Sequence, residues 1–170
     1  MSNITEDILK GKIFIYPTDT IYGIGCNALN ELSVEKIKEI KGRDRNKPLS
    51  IIAPGIDWVK KHCIVDVNLK KYLPGPYTII LKKKDPKFLI HVSNVDTIGI
   101  RIPNSKFSKN VAEAGVPFIT TSVNFSGEPF AKSVKEVAKE ILTKVDRVID
   151  GGVLGGSPST LVIGGKERFR

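Results

Sequence analysis

Short apolar runs bounded by glycine, proline or charge recur along the chain and alternate with longer amphipathic stretches. Ile13–Tyr16, Leu49–Ala53 between Pro48 and Pro54, Tyr77–Lys82, Thr97–Ile102, Pro117–Ser122, Arg147–Ile149 and Thr160–Ile163 are three to six residues long and rich in β-branched or aromatic side chains, which predicts strands. Between them, Leu32–Lys41 has the helical period, with Ile37 and Ile40 inward, lysines outward and Gly42 as its stop. Ile56–Cys63 and Val67–Leu73 predict short helices, and Ser105–Ala114 a longer one ended by Gly115. Ser133–Lys144 gives the clearest helical pattern: Ser133 and Glu136 have capping-box spacing, and Val134, Val137, Ile141 and Leu142 share a face. Strands interleaved with helices, several strands being apolar on both faces, predict a single α/β domain over residues 1–170. Its helices would pack around a twisted, mixed sheet.

Composition agrees with one globular domain: 170 residues, 41% hydrophobic and 26% charged. No apolar stretch approaches the ~20 residues of a membrane span. The N-terminal MSNITEDILKGK carries two acids and no apolar core, unlike a secretory signal, so a cytoplasmic protein without a membrane partner is expected. Cys26 and Cys63 are far apart and form no CxxC, which suggests neither a disulfide framework nor a zinc site. The charge adds more. Lys plus Arg number 27 against 18 for Asp plus Glu, a net of +9. A compact basic domain favours anionic partners such as nucleotides or nucleic acid, although a lysine-rich composition with no special partner gives the same number.

Five polar segments lie at the ends of the apolar runs, where α/β sheets bind ligands. PTDTIYG (17–23) offers Thr18, Asp19 and Thr20 beside glycines, and reads either as a plain turn or as a strand end facing a ligand. KGRDRNKPL (41–49) sets Lys41, Arg43, Arg45 and Lys47 within seven residues just past a helix end. That is more positive charge than capping needs, and it suits a polyphosphate. In TIGIRIP (97–103), strand alternation puts Ile98, Ile100 and Ile102 on one face and Thr97, Gly99 and Arg101 on the other. A cation there needs either an internal acid or a substrate carboxylate. ITTSVNFSGEP (119–129) alternates Thr120, Ser122 and Asn124, which fits either a ligand-reading edge or an Asx/Ser turn. DGGVLGGSPST (150–160) is glycine-rich but matches neither GxxxxGK[ST] nor GxGxxG, so a P-loop ATPase is excluded. His62 and His91 are isolated, and no GxSxG elbow is present for a Ser-His-Asp triad.

Taken in order, PTDTIYG, K-G-R followed by KPL, LPGPYTIIL, IRIP, TSVN with SGEP, DGG and STL resemble the YrdC-like threonylcarbamoyl-AMP synthases. The resemblance runs from about residue 10 to the end of the sequence and is to the short form, without the further C-terminal domain of longer members. It implies a YrdC-like fold with a deep basic cavity. It implies a nucleotidyltransferase that converts L-threonine, bicarbonate and ATP to L-threonylcarbamoyladenylate and pyrophosphate, for modification of adenosine 37 in tRNA. By the resemblance, Lys41 and Arg43 match the K-x-R that meets phosphate charge and would be the catalytic pair. Lys47, Thr97, Ser122, Asn124 and Arg170 fall at further ATP-contacting positions. Thr20, Arg101, Thr120 and Ser159 match threonine contacts, Arg101 taking the carboxylate. Mg²⁺ is implied as the companion of ATP, carried by its phosphates, with no protein metal ligands.

The sequence departs from the family pattern in two places. Ile52 stands where some members have a histidine, and Pro158 where many have a glutamate before Ser-Thr. The expected partners are the three substrates, the protein that transfers the threonylcarbamoyl group to tRNA, and RNA itself, as tRNA or double-stranded RNA. The alternative is an RNA-binding protein without catalysis.

Overall fold

A computed structural model of the chain describes residues 3–170. In chain order the elements are α1 (Ile4–Leu9), β1 (Phe14–Pro17), β2 (Tyr22–Gly25), α2 (Glu31–Lys41), β3 (Ser50–Ile52), α3 (Ile56–His62), β4 (Cys63–Ile64), β5 (Tyr77–Lys83) and β6 (Thr97–Arg101). There follow α4 (Lys106–Ala114), β7 (Phe118–Ser122), α5 (Lys139–Leu142), β8 (Arg147–Val148), β9 (Thr160–Ile163) and β10 (Lys166–Arg168). Single 3₁₀ turns cover Leu69–Lys71 and Val134–Glu136. The strands form one mixed sheet in the order β10-β9-β5-β6-β3-β7-β2-β1-β8, with β4 paired to β5. The pairs β1–β8, β3–β6 and β5–β9 are parallel and the rest antiparallel. No helix among the described residues is long and apolar enough to cross a membrane.

The two faces of the sheet differ, and the difference creates the site. One face carries Ile15, Ile24, Ile51, Ile79, Leu81, Ile98, Ile100 and Ile119, all buried in the larger core with Val34, Ile37 and Ile40 of α2 and Val59 of α3. The opposite face is apolar only at one end. There Phe14, Tyr16, Ile52 and Phe118 pack under Ile8 of α1 and Phe107 and Val111 of α4. Two residues further along the central strands the composition changes. The paired residues Ile52 and Phe118 give way to the paired residues Ser50 and Thr120. The cavity opens on that polar half, and among the described residues no helix contributes to its lining.

The helix α2 has the predicted form. Asn30 accepts from Ser33 N–H at its start, and Gly42 closes it at φ 61°. Ser133–Lys144 departs from expectation: it is not one helix. Val137 is extended at φ −74°, ψ 131°, between a 3₁₀ turn and the single turn of α5. Ser133 makes no capping bond, and the Glu136 carboxylate accepts instead from Lys132 N–H at 2.6 Å. Burial of both Val137 and Ile141 in the larger core fixes this bent path against the local pattern. Val67–Leu73 is likewise reduced to the 3₁₀ turn.

Candidate functional site

A cavity of about 320 Å³ opens on the polar half-face, within the size range of small-ligand sites. Its lining includes four cations, Arg43, Lys47, Arg101 and Arg170, and no carboxylate. Hydroxyl side chains, among them Thr20, Ser50, Thr78, Thr120, Ser122 and Ser159, add further polar surface. The floor follows from strand register: Ser50 on β3 faces Gly99 on β6 to one side and Thr120 on β7 to the other.

The 17–23 segment is both a turn and a wall. Thr18 Oγ1 donates to the Ile21 carbonyl at 2.7 Å and accepts from Thr20 N–H at 3.0 Å, which closes the hairpin between β1 and β2. The same turn aims Thr20 at Arg101, whose Nη1 lies 3.4 Å from Thr20 Oγ1. The glycines serve the protein's own packing: a Cβ on Gly25 would lie 1.8 Å from the Ile119 carbonyl oxygen, and one on Gly23 would lie 2.8 Å from the Tyr16 ring. The glycine-rich loop is tied to β2. Tyr22 Oη donates to the Gly152 carbonyl at 2.7 Å and accepts from Gly151 N–H at 2.8 Å.

At one end of the cavity sits Arg101, 6% exposed. Its Nη2 donates to Asp19 Oδ1 at 2.6 Å, and Asp19 Oδ2 accepts from Asn104 N–H at 2.9 Å. Arg101 thus has an internal acid and also lines the cavity. Its Nε is buried without a hydrogen-bond partner. Burial lowers the guanidinium pKa, and Asp19 opposes that shift. Arg170 folds back beside it. Its Nε donates to the Ser159 carbonyl at 2.9 Å and its Nη2 to Ser159 Oγ at 2.5 Å, while burial and the nearby Arg101 charge lower its pKa.

At the other end, Arg43 donates to the Pro48 carbonyl at 2.7 Å, which braces the cationic loop at the cavity mouth, and burial lowers its pKa. Lys41 and Asn124 are not in the lining but lie one layer behind it, joined to each other and to Ser122. Thr97 stands apart. It begins β6 opposite Lys82, at the far end of that strand from Arg101, and does not line the cavity. Thus Thr20, Arg43, Lys47, Arg101, Thr120, Ser122, Ser159 and Arg170 converge; Lys41 and Asn124 support them; Thr97 does neither. Ser50 and Thr78 escaped the sequence reading, their one signal being a hydroxyl inside the otherwise apolar runs LSIIA and YTIIL. Pro158 lines the cavity, whereas Ile52 is buried in the smaller core and leaves Ser50 as the β3 side chain in the site. Among the described residues, no group of three His, Cys, Asp or Glu side chains could hold a metal ion.

Fold and cavity together define an α/β protein with a cation-lined, hydroxyl-floored cavity on the polar half of a sheet face. Residues 6–169 match the Sua5/YciO/YrdC family, which carries the description telomere recombination. A Methanocaldococcus jannaschii protein provisionally named threonylcarbamoyl-AMP synthase is 45% identical over 164 residues, covering 94% of this chain and 77% of that protein. The crystal structure of Pyrococcus abyssi Sua5 complexed with L-threonine superposes with a TM-score of 0.81 at 31% identity, over 94% of this chain and 49% of that one. Escherichia coli YciO superposes with a TM-score of 0.78 at 29% identity, over 94% and 81%. The chain therefore belongs to the Sua5/YciO/YrdC family, and it spans about half the length of the Pyrococcus abyssi member.

Proposed function

We propose that the cavity is the active site of an L-threonylcarbamoyladenylate synthase, a nucleotidyltransferase acting on L-threonine, bicarbonate and ATP. The observation that carries this reading is the division of the lining. A buried arginine among hydroxyls, with Arg170 beside it, stands at one end, two cations stand on a loop at the other, and no acidic side chain is in the lining between. The first end suits an amino-acid carboxylate and the second a polyphosphate. The support from outside the chain is the Pyrococcus abyssi relative, which is named a threonylcarbamoyl-AMP synthase and has been crystallised with L-threonine.

In this reading Asp19 holds Nη2 of Arg101, leaving Nη1, beside Thr20 Oγ1, to meet the threonine carboxylate, with Thr120 and Ser159 around the side chain. The threonine amine and bicarbonate condense to the carbamate and release water. A carbamate oxygen then attacks the α-phosphorus of ATP, the α–β bridging P–O bond breaks, and pyrophosphate leaves with the electron pair. Arg43 and Lys47 stabilise charge on the phosphates and on the departing pyrophosphate, while Ser122 and Arg170 orient the nucleotide. Mg²⁺ would accompany ATP and supply further positive charge to its phosphates. The product would pass to a protein that transfers the threonylcarbamoyl group to tRNA, and a cytoplasmic location belongs to the same proposal.

The test is to incubate the protein with ATP, L-threonine and ¹⁴C-bicarbonate and to resolve the nucleotides by chromatography and mass spectrometry. An AMP adduct carrying threonine and the labelled carbon is expected. Label that never joins AMP contradicts the assignment.

A further inference from the structure

Lys41 is 2% exposed at the last position of α2. The left-handed turn at Gly42 separates it from Arg43, so that Arg43 lines the cavity and Lys41 does not. Its Nζ donates to the Ser122 carbonyl at 2.5 Å, to Thr121 Oγ1 at 2.9 Å and to Asn124 Oδ1 at 3.1 Å. An ammonium has three protons, and three acceptors already take them. Ser122 Oγ donates to the same Asn124 Oδ1 at 2.8 Å, and Asn124 Nδ2 donates to the Glu128 carbonyl at 2.6 Å. The main chain adds a further tie, Ser126 N–H to the Lys41 carbonyl at 2.9 Å. Lys41 is therefore the centre of a closed network joining the end of α2 to the end of β7 and the loop beyond it.

We infer that Lys41 is a positioning residue of the nucleotide subsite: its ammonium fixes the side chains of Ser122 and Asn124 from behind the cavity wall and touches no phosphate. The inference rests on the ATP-binding reading above. It changes the role that the family resemblance implies for Lys41, because only the second cation of the K-x-R pair reaches the cavity. Burying an ammonium is costly, and an acceptor for each of its three protons is what makes that cost tolerable.

The test is calorimetric titration of ATP and AMP into the wild type, K41M, S122A, N124A and the double variant K41M/S122A, with L-threonine titrated into each. Wild type that binds no ATP overturns the functional reading, and this inference with it. If wild type binds ATP, K41M is expected to weaken ATP and AMP by the same factor, to within about threefold, while L-threonine affinity stays within about threefold of wild type. The double variant is expected to be no weaker than the worse single variant, because both substitutions break one network. An ATP loss about tenfold larger than the AMP loss, or additive losses in the double variant, would mean direct phosphate contact and overturn the inference. Loss of cooperative unfolding in both K41M and the gentler K41Q would make the lysine architectural, and would overturn it equally.

Discussion

Replacing Arg101 by methionine removes the cation at the centre of the proposed threonine subsite and leaves Asp19 facing a hydrophobic side chain. The ion pair is short, 2.6 Å, and both side chains are largely enclosed, at 7% and 14% exposure. Removing one partner of such a pair costs about 3–5 kcal/mol, because the other charge stays behind without compensation. That stability loss would obscure the binding loss, so D19N/R101M is the informative companion: it removes both charges and should regain most of the lost stability. Threonine binding should separate from stability. A charge-assisted hydrogen bond to the substrate carboxylate contributes about 1.5–3 kcal/mol, so both R101M and the double variant should lose roughly 10- to 150-fold in L-threonine affinity. Titration calorimetry with L-threonine, paired with thermal unfolding of the same samples, gives both quantities. Threonine affinity within about threefold of wild type in R101M, or restored in D19N/R101M, would refute the carboxylate assignment.

Gly25→Ala should destabilise the protein by about 3 kcal/mol or more, because its Cβ would fall 1.8 Å from a carbonyl oxygen of β7. Thermal unfolding should show a fall of roughly 6–12 °C, and an unchanged Tm would contradict the observed register of β2 on β7. Tyr22→Phe removes two hydrogen bonds to the glycine-rich loop, at about 1 kcal/mol each. Amide exchange should quicken across residues 150–157 and KM for threonine should rise, whereas unchanged exchange would mean the loop is held by other contacts. Burial first, and then the charges of Arg43 and Lys47, depress the Lys41 pKa to about 7. Since this lies below the unfolded value, the native state sheds its proton first, and stability attributable to this group should rise as pH climbs from about 7 towards 10.5. ATP acts in the opposite sense by favouring the ammonium, so binding above pH 7 should take up as much as about one proton. Buffer-dependent calorimetric enthalpies measure that uptake, and the same uptake in K41M would assign it to another group.

Much of the site could be read from the chain because alternation alone put Arg101 on the Thr/Gly face of its strand, and the structure keeps it there. The cationic loop after Gly42 was equally plain, because a helix stop and a cluster of like charges are local signals. What stayed hidden depended on contacts distant in sequence. Tyr22–Gly25 carries no strand pattern of its own because glycine is a poor strand former, yet the strand needs glycine where the Ile119 carbonyl and the Tyr16 ring come close. Which acid would meet Arg101 was not legible, since Asp19 lies 82 positions away. Lys41 and Arg43 look equivalent in sequence, and only the turn at Gly42 sends one behind the wall and the other into the cavity. The regular pattern of Ser133–Lys144 misled for the converse reason: its local periodicity was good, but packing of Val137 and Ile141 chose a bent path. The strand β10 carries the exposed sequence Lys166-Glu167-Arg168, with no apolar alternation to announce it.

The most direct test of the central claim is pyrophosphate release from ATP, measured with threonine and bicarbonate each present or omitted. Release is expected only when both are supplied, and should collapse in Arg101→Met and in Arg43→Met, one at each end of the cavity. Release that is indifferent to threonine, or no release with all three substrates present, would contradict the synthase assignment.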